Sequence, residues 1–282
     1  MLKPTEIKEL CAKYNLLPSK QYGQHYLISD APIRKMIEAA NLSSDDTVVE
    51  IGPGFGVLTL TVAPLVKKVI AFEIEQKLCS YWEEKVLEYP NVEIVWGNVL
   101  AKLQTPIAEL RVGYKVLANL PYQITSEALR AIFEANPKPE KVIVMVQKEV
   151  AERICAKKGD MSLLAVSVQY YGAPKIVAQV SRGCFWPAPK VDSAVIAIDV
   201  EGTKNKEQKT IDEAVFFRIA KAGFSHKRKQ VWRNLAEGLK LPADEMKRAL
   251  VEVMGNEKVR AEEISIEEWK KIALLISKFS II

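Results

Sequence analysis

Thr47-Val48-Val49-Glu50-Ile51-Gly52-Pro53-Gly54-Phe55-Gly56 is the stretch that decides the fold. Its first half is rich in β-branched side chains and follows Asp45-Asp46, the pattern of a buried strand. Its second half places glycines at 52, 54 and 56, which lets the backbone turn tightly and approach a ligand closely. Val57 to Val66 then carries apolar residues at near-helical spacing. The same alternation continues downstream. Lys68–Glu73 reads as a second strand, Gln76–Leu87 as a helix, Val92–Trp96 as a third strand and Lys115–Ala118 as a fourth. Ser126–Ala135 reads as a helix and Lys141–Val146 as a fifth strand. Continuously apolar strands separated by helices imply an α/β fold, a parallel sheet with helices on both faces. Such sheets bind ligands outside the carboxyl ends of their strands.

Toward the carboxyl terminus the pattern changes. A helical stretch runs from Met161-Ser162 to Tyr171, followed by two strand-like runs, Lys175–Val180 and Ser193–Val200. The loop between them contains Phe185-Trp186-Pro187-Ala188-Pro189-Lys190. Residues 201–209 (EGTKNKEQK) read as a polar linker, and from Ile211 onward only helical patterns occur. The expected organisation is an α/β domain over residues 1–204 and a small all-helical domain over residues 205–282.

With 282 residues, 49% of them hydrophobic, the chain is long enough for a large core plus an appendage. It contains no run of 18 apolar residues, so no membrane span is expected. The opening residues, with Lys3, Glu6, Lys8 and Glu9, resemble neither a secretory signal nor a transit peptide, so a cytoplasmic location is expected. Cys11, Cys79, Cys155 and Cys184 are scattered and the chain has only two histidines, which argues for reduced thiols and against a disulfide framework or a metal site. Forty basic against thirty-five acidic residues give +5, a weak sign of a polyanionic partner, so local clustering matters more.

The glycine spacing is G-x-G-x-G rather than the dinucleotide G-x-G-x-x-G, and Pro53 removes a backbone donor that a pyrophosphate would use. A cofactor without phosphates, such as S-adenosylmethionine, fits Gly52 and Gly54 better than a nicotinamide dinucleotide. Glu73 ends the second strand 21 residues after Gly52, where an acid accepts hydrogen bonds from ribose hydroxyls. Asn98 follows the third strand, and its amide is a candidate partner for the cofactor's adenine.

Asn119-Leu120-Pro121-Tyr122 follows the fourth strand directly and is the most specific signal in the chain. An aromatic amine is a poor nucleophile because its lone pair is delocalised into the ring. Acceptors aimed at its two N–H bonds favour the pyramidal geometry that attack requires. Asn119 offers a side-chain carbonyl and Leu120 a backbone carbonyl. Pro121 stiffens the turn, and Tyr122 offers a flat face to an extruded base.

At this point the sequence resembles the KsgA/RsmA family of ribosomal RNA adenine dimethyltransferases, over nearly the whole chain. The shared motifs are Gly23-Gln24-His25-Tyr26-Leu27, Glu50–Gly54, Glu73, Asn119–Tyr122, Gln147–Val150, Phe185–Val195, Phe224–Lys229 and Arg260–Glu263. The resemblance implies a Rossmann-like S-adenosylmethionine methyltransferase domain followed by a small helical domain. It further implies dimethylation of two adjacent adenines near the end of small-subunit rRNA during ribosome maturation. By position, cofactor contacts fall on His25, Leu27, Gly52, Glu73, Asn98 and Asn119. Two residues depart from the family pattern: His25-Tyr26 stands where the family has Asn-Phe, and Asn98 where it has Asp.

RNA contacts are expected from Lys227, Arg228, Lys229 and Arg233 within Ser225–Arg233, a segment without an acid, and from Lys190. Phe185 is a candidate to stack on the target adenine opposite Tyr122. A monomer acting on a pre-ribosomal small subunit is the leading expectation. Its rivals are a macrolide-resistance-type methyltransferase of large-subunit rRNA and an assembly factor with weak catalysis.

Overall fold

The computed structural model describes residues 1–16, 25–110, 113–200 and 211–279. The motif residues Gly23 and Gln24 and the linker at 201–209 lie outside the described residues. The chain forms two compact units.

The first unit comprises Met1–Ala151 and Gly172–Thr203. Its strands are β1 (Tyr26–Leu27), β2 (Thr47–Ile51), β3 (Lys68–Glu73), β4 (Val92–Trp96), β5 (Lys115–Asn119), β6 (Lys141–Gln147), β7 (Pro174–Val180), β8 (Phe185–Trp186) and β9 (Ser193–Asp199). Seven of these form one sheet in the order β4-β3-β2-β5-β6-β9-β7. The first five in that order are parallel, whereas β9 runs antiparallel to both β6 and β7. The five strands read as parallel are parallel, and β9 and β7 extend them into a mixed sheet. The short connection through β8 returns the chain in the opposite direction, where a parallel strand would need a long crossover.

Along the strands, Val48, Val69, Leu117, Ile143, Met145 and Val195 join a core cluster with Ile33, Met36 and Trp82. The intervening Val49, Ile70, Val116, Val142, Val144 and Ile196 are buried as well, so the sheet is covered on both faces. Strand order reverses between β2 and β5, which creates a switch point with a crevice at the strands' carboxyl ends. β1 and β8 form a separate antiparallel pair, Tyr26 opposite Trp186 and Leu27 opposite Phe185. That pairing fixes the amino-terminal segment against the proline-rich segment.

The second unit comprises Glu152–Tyr171 and Lys204–Ile282. Helices Glu213–Gly223, Val231–Leu239, Ala243–Met254 and Ile266–Phe279 enclose Phe216, Ile219, Leu235, Leu250, Trp269 and Ile272. Residues 152–171, read above as part of the α/β domain, belong to this unit. Met161, Ala165 and Val166 are in its core, and Tyr170 packs its ring 4.4 Å from that of Phe216. Among the described residues no helix is long and apolar enough to cross a membrane, and no cluster of His, Cys, Asp and Glu has the arrangement of a metal site.

Candidate active site

The glycine loop leaves β2 with Gly52, Gly54 and Gly56 all at positive φ (72°, 54° and 74°), a conformation that side-chain-bearing residues resist. A Cβ on Gly56 would meet the Trp82 ring at 2.8 Å, so that glycine is required twice over. Trp82 Nε1 donates to the Gly54 carbonyl (3.0 Å) and the Tyr81 hydroxyl to that of Phe55 (2.8 Å). Both donors come from helix Cys79–Glu88, which anchors the loop from outside. A Cβ on Gly52 would stand 3.9 Å from the Pro121 ring. The loops after β2 and β5 thus abut across the switch point.

A cavity forms there. Its lining includes His25, Tyr26, Leu27, Gly52, Gly54, Glu73, Asn119, Leu120, Pro121 and Tyr122. Local structure explains the last four. Asn119 ends β5, the Leu120 N–H donates to the Met145 carbonyl on β6 (3.1 Å), and Tyr122 opens a single 3₁₀ turn that leads into helix Thr125–Glu134. The cavity also has an apolar wall of Ile33, Met36, Leu58, Ile74 and Met145 that the sequence reading did not single out. Ile74 is 53% exposed directly after Glu73, a position where an unpaired apolar side chain offers a face to a ligand's ring.

Glu73 is almost fully buried. Its Oε2 accepts from Gly54 N–H (3.0 Å) and its Oε1 from Glu75 N–H (2.8 Å). Burial raises its pKa, against the lowering effect of these backbone bonds. Two carboxylate oxygens offer about four acceptor positions, so the group that shapes the loop still has capacity for ribose hydroxyls. Glu50 lies beneath the loop, accepting from the Thr59 hydroxyl at 2.7 Å, and burial pushes it up to about 8. The Tyr26 hydroxyl is buried with no oxygen or nitrogen partner among the described residues, its neighbour being the Cys11 thiol. Glycine backbone at positive φ, a carboxylate with spare acceptors and an apolar wall suit S-adenosylmethionine, and none of them calls for a phosphate.

Not every expected residue reaches the cavity. Asn98 is exposed and caps the short helix Val99–Lys102, its Oδ1 accepting from Leu100 N–H at 3.0 Å. A local capping bond engages the carbonyl oxygen that the sequence reading offered to the cofactor. Phe185 is absent from the cavity lining; it is 3% exposed within the core beside β1, because strand pairing with Leu27 turns its ring inward. Lys190 is exposed on the segment before β9.

In the helical unit, Lys227, Arg228 and Lys229 lie exposed on a turn between helices, and only Arg233 of the basic set is helical. The buried Asn234 amide braces this turn by donating to the carbonyls of Gly223 (2.7 Å) and His226 (3.1 Å). Lys229 pairs with Glu237 at 3.5 Å, an acid that the local sequence window did not contain. The Arg233 guanidinium lies over the Trp232 ring.

A model of the family described as ribosomal RNA adenine dimethylase matches residues 17–278. A ribosomal RNA small subunit methyltransferase A of Dehalococcoides mccartyi is 42% identical, covering 95% of this chain and 92% of the relative. One of Clostridium perfringens is 34% identical over 99% and 97%. Among solved structures, a dimethyladenosine transferase from Plasmodium falciparum superposes with a TM-score of 0.75 at 25% identity, covering 90% of this chain and 98% of that one. The 23S rRNA methyltransferase ErmE gives 0.69 at 25% identity over 89% and 99%. With the glycine loop and the Asn119–Tyr122 turn meeting in one cavity, this match over nearly the full length leaves a single conclusion: the chain belongs to the ribosomal RNA adenine dimethylase family.

Proposed function

We propose that this chain transfers methyl groups from S-adenosylmethionine to the exocyclic amines of two adjacent adenines near the end of small-subunit rRNA, within an assembling small subunit. The observation that carries the reading is the convergence of Gly52, Glu73, Asn119 and Tyr122 on one cavity at the sheet's switch point. When bound, S-adenosylmethionine supplies an electrophilic methyl on a sulfonium that departs as a neutral thioether. Glu73 accepts from the ribose, while Gly52, Gly54, His25 and Leu27 line the rest of the cofactor's place. Asn119 and the Leu120 carbonyl accept from the two N–H bonds of the target amine and hold its lone pair toward the methyl. Orientation and preorganised dipoles supply the main rate gain. Tyr122 is the stacking face for the base, and Phe185 supports the wall from the core.

Lys227, Arg228, Lys229, Arg233 and Lys190 serve phosphate contacts. Such contacts release counterions and carry no sequence information. Reversing charge at Lys227 and Arg228 is expected to weaken RNA binding and flatten its salt dependence by about one to two phosphate equivalents. An unchanged slope in a binding titration across salt would move the RNA surface elsewhere. The protein is expected to act as a monomer in the cytoplasm.

The deciding experiment offers purified, unmethylated small- and large-subunit precursors to the enzyme and maps methylated nucleotides by mass spectrometry. Signal on two adjacent adenines of small-subunit rRNA is expected; signal only on large-subunit RNA would replace this reading by the macrolide-resistance type. The departures at His25 and Asn98 motivate a second reading, an assembly factor with weak catalysis. Failure of the purified protein to bind S-adenosylmethionine would select it.

A further inference from the structure

Tyr122 is gripped from two sides, by Ser193, which has no part in the chemistry above, and by His25, placed above only along the lining of the cofactor's place. Its hydroxyl meets Ser193 Oγ at 2.8 Å. Ser193 opens β9 opposite Gln147 of β6 and is completely buried. On the other side the His25 ring lies 5.6 Å from the Tyr122 ring, inclined by 32°. The His25 ring is itself held, because Nδ1 lies 2.7 Å from the Pro187 carbonyl, which only accepts, so Nδ1 carries the proton and donates. Tyr122 stands on one 3₁₀ turn, and the backbone of a single turn does little to fix a ring plane. The three fastening points come from residues 25, 187 and 193, far from 122 in sequence.

We propose that Ser193 and His25 are positioning residues that fix the ring plane of Tyr122, and with it the plane in which the target adenine stacks. This rests on the reading that Tyr122 meets the base. The physical argument is geometric. Asn119 and Leu120 act on the amine only if the base stops at one depth and tilt, and a stacking ring free to rock blurs both. A displacement of about 1 Å in a transfer site lowers the rate by up to about a hundredfold. A fully buried serine hydroxyl is costly unless it is bonded, and Tyr122 supplies that bond. The imidazole at 25 sets a flat face beside Tyr122.

The test is single-turnover methylation of an unmethylated small-subunit particle by the full chain, with cofactor affinity measured in parallel by calorimetry. Tyr122→Phe and Ser193→Ala are each expected to slow transfer about tenfold with little change in cofactor affinity, and the double variant to be no slower than the slower single one. His25→Leu is expected to slow transfer, and His25→Asn to recover part of the loss. Wild-type rates in Tyr122→Phe and Ser193→Ala, or losses that multiply in the double variant, would overturn the proposal. Should Ser193→Ala not fold, Tyr122→Phe decides alone, since it removes one half-buried hydroxyl. Asn119→Ala separates the two levels. If it abolishes transfer while Tyr122→Phe is at full rate, the clamp fails and the active-site reading stands. If Asn119→Ala turns over normally, the reading itself fails.

Discussion

The two ends of the same strands are built on opposite electrostatic plans. At the amino ends, lysines begin the strands and are paired. Lys68 faces Glu93, Lys141 faces Asp199, and Lys115 meets Asp46 at 2.7 Å with both side chains largely buried. Lys115 and Lys141 also donate to the carbonyls of Asn41 and Ala39, closing helix Ala31–Ala40 where its dipole favours positive charge. At the carboxyl ends, Glu50 and Glu73 are buried against a hydroxyl and backbone amides instead of cations. Burial raises both. One end is satisfied within the fold and contributes stability. The other keeps acceptors in reserve, and a group with unused capacity inside a cavity is what a ligand site requires.

The largest test of that contrast is Asn119→Ala. It is expected to lower kcat by about a hundredfold or more while S-adenosylmethionine binding stays measurable, because it removes an acceptor used in transfer. Near-normal turnover in a methylation assay would contradict the acceptor role. Next comes Glu73→Gln, expected to weaken cofactor binding about tenfold or more by calorimetry, through loss of charged acceptors for ribose and loop. Because burial raises this carboxyl, affinity in the wild type is expected to fall on acidification as the acceptor is protonated. Cofactor affinity that ignores both changes would remove Glu73 from the site.

At the opposite end, Lys115→Met is expected to cost about 2 kcal/mol of stability, with kcat and cofactor affinity unchanged. Burial opposes the ionisation of Asp46, but Lys115 and the Ser43 bonds hold its pKa below the usual range. Its contribution is therefore present above that range and lost as pH falls through the lowered value. Urea midpoints of variant and wild type should converge in strong acid, and a constant gap would break the assignment.

A pH-dependent effect on stability concerns Glu50. Between the usual carboxylate range and about pH 8 the unfolded chain has lost the proton that the folded chain keeps, so stability falls as pH rises. Glu50→Gln is expected to flatten the urea midpoint across pH 5–8, by at most about 1.4 kcal/mol per pH unit. Parallel curves would show that Glu50 is ionised in the fold.

Much of this was readable in advance, for local reasons. Strands β2, β3, β5 and β6 announced themselves because a strand covered on both faces is apolar along its middle. The glycine loop was legible because positive φ needs glycine, and Asn119–Tyr122 because it follows a strand directly, downstream of that loop. Less visible were helices Pro4–Lys13 and Ala31–Ala40, and the two-residue strands β1 and β8, too short to leave a period. The cap that Asn98 provides was not legible, because a cap and a ligand contact use the same residue type after a strand.

The amino-acid sequence by itself determined the alternation of strand and helix, the loop that turns on Gly52, Gly54 and Gly56, and the Asn119–Tyr122 turn, since each depends on residues next to one another. Only the tertiary structure decided that β9 runs antiparallel, that residues 152–171 join the helical unit, that Phe185 turns inward, and that His25, Pro187 and Ser193 close around Tyr122. Those contacts join segments up to 162 residues apart. Their geometry comes from how whole faces pack, which no local periodicity records.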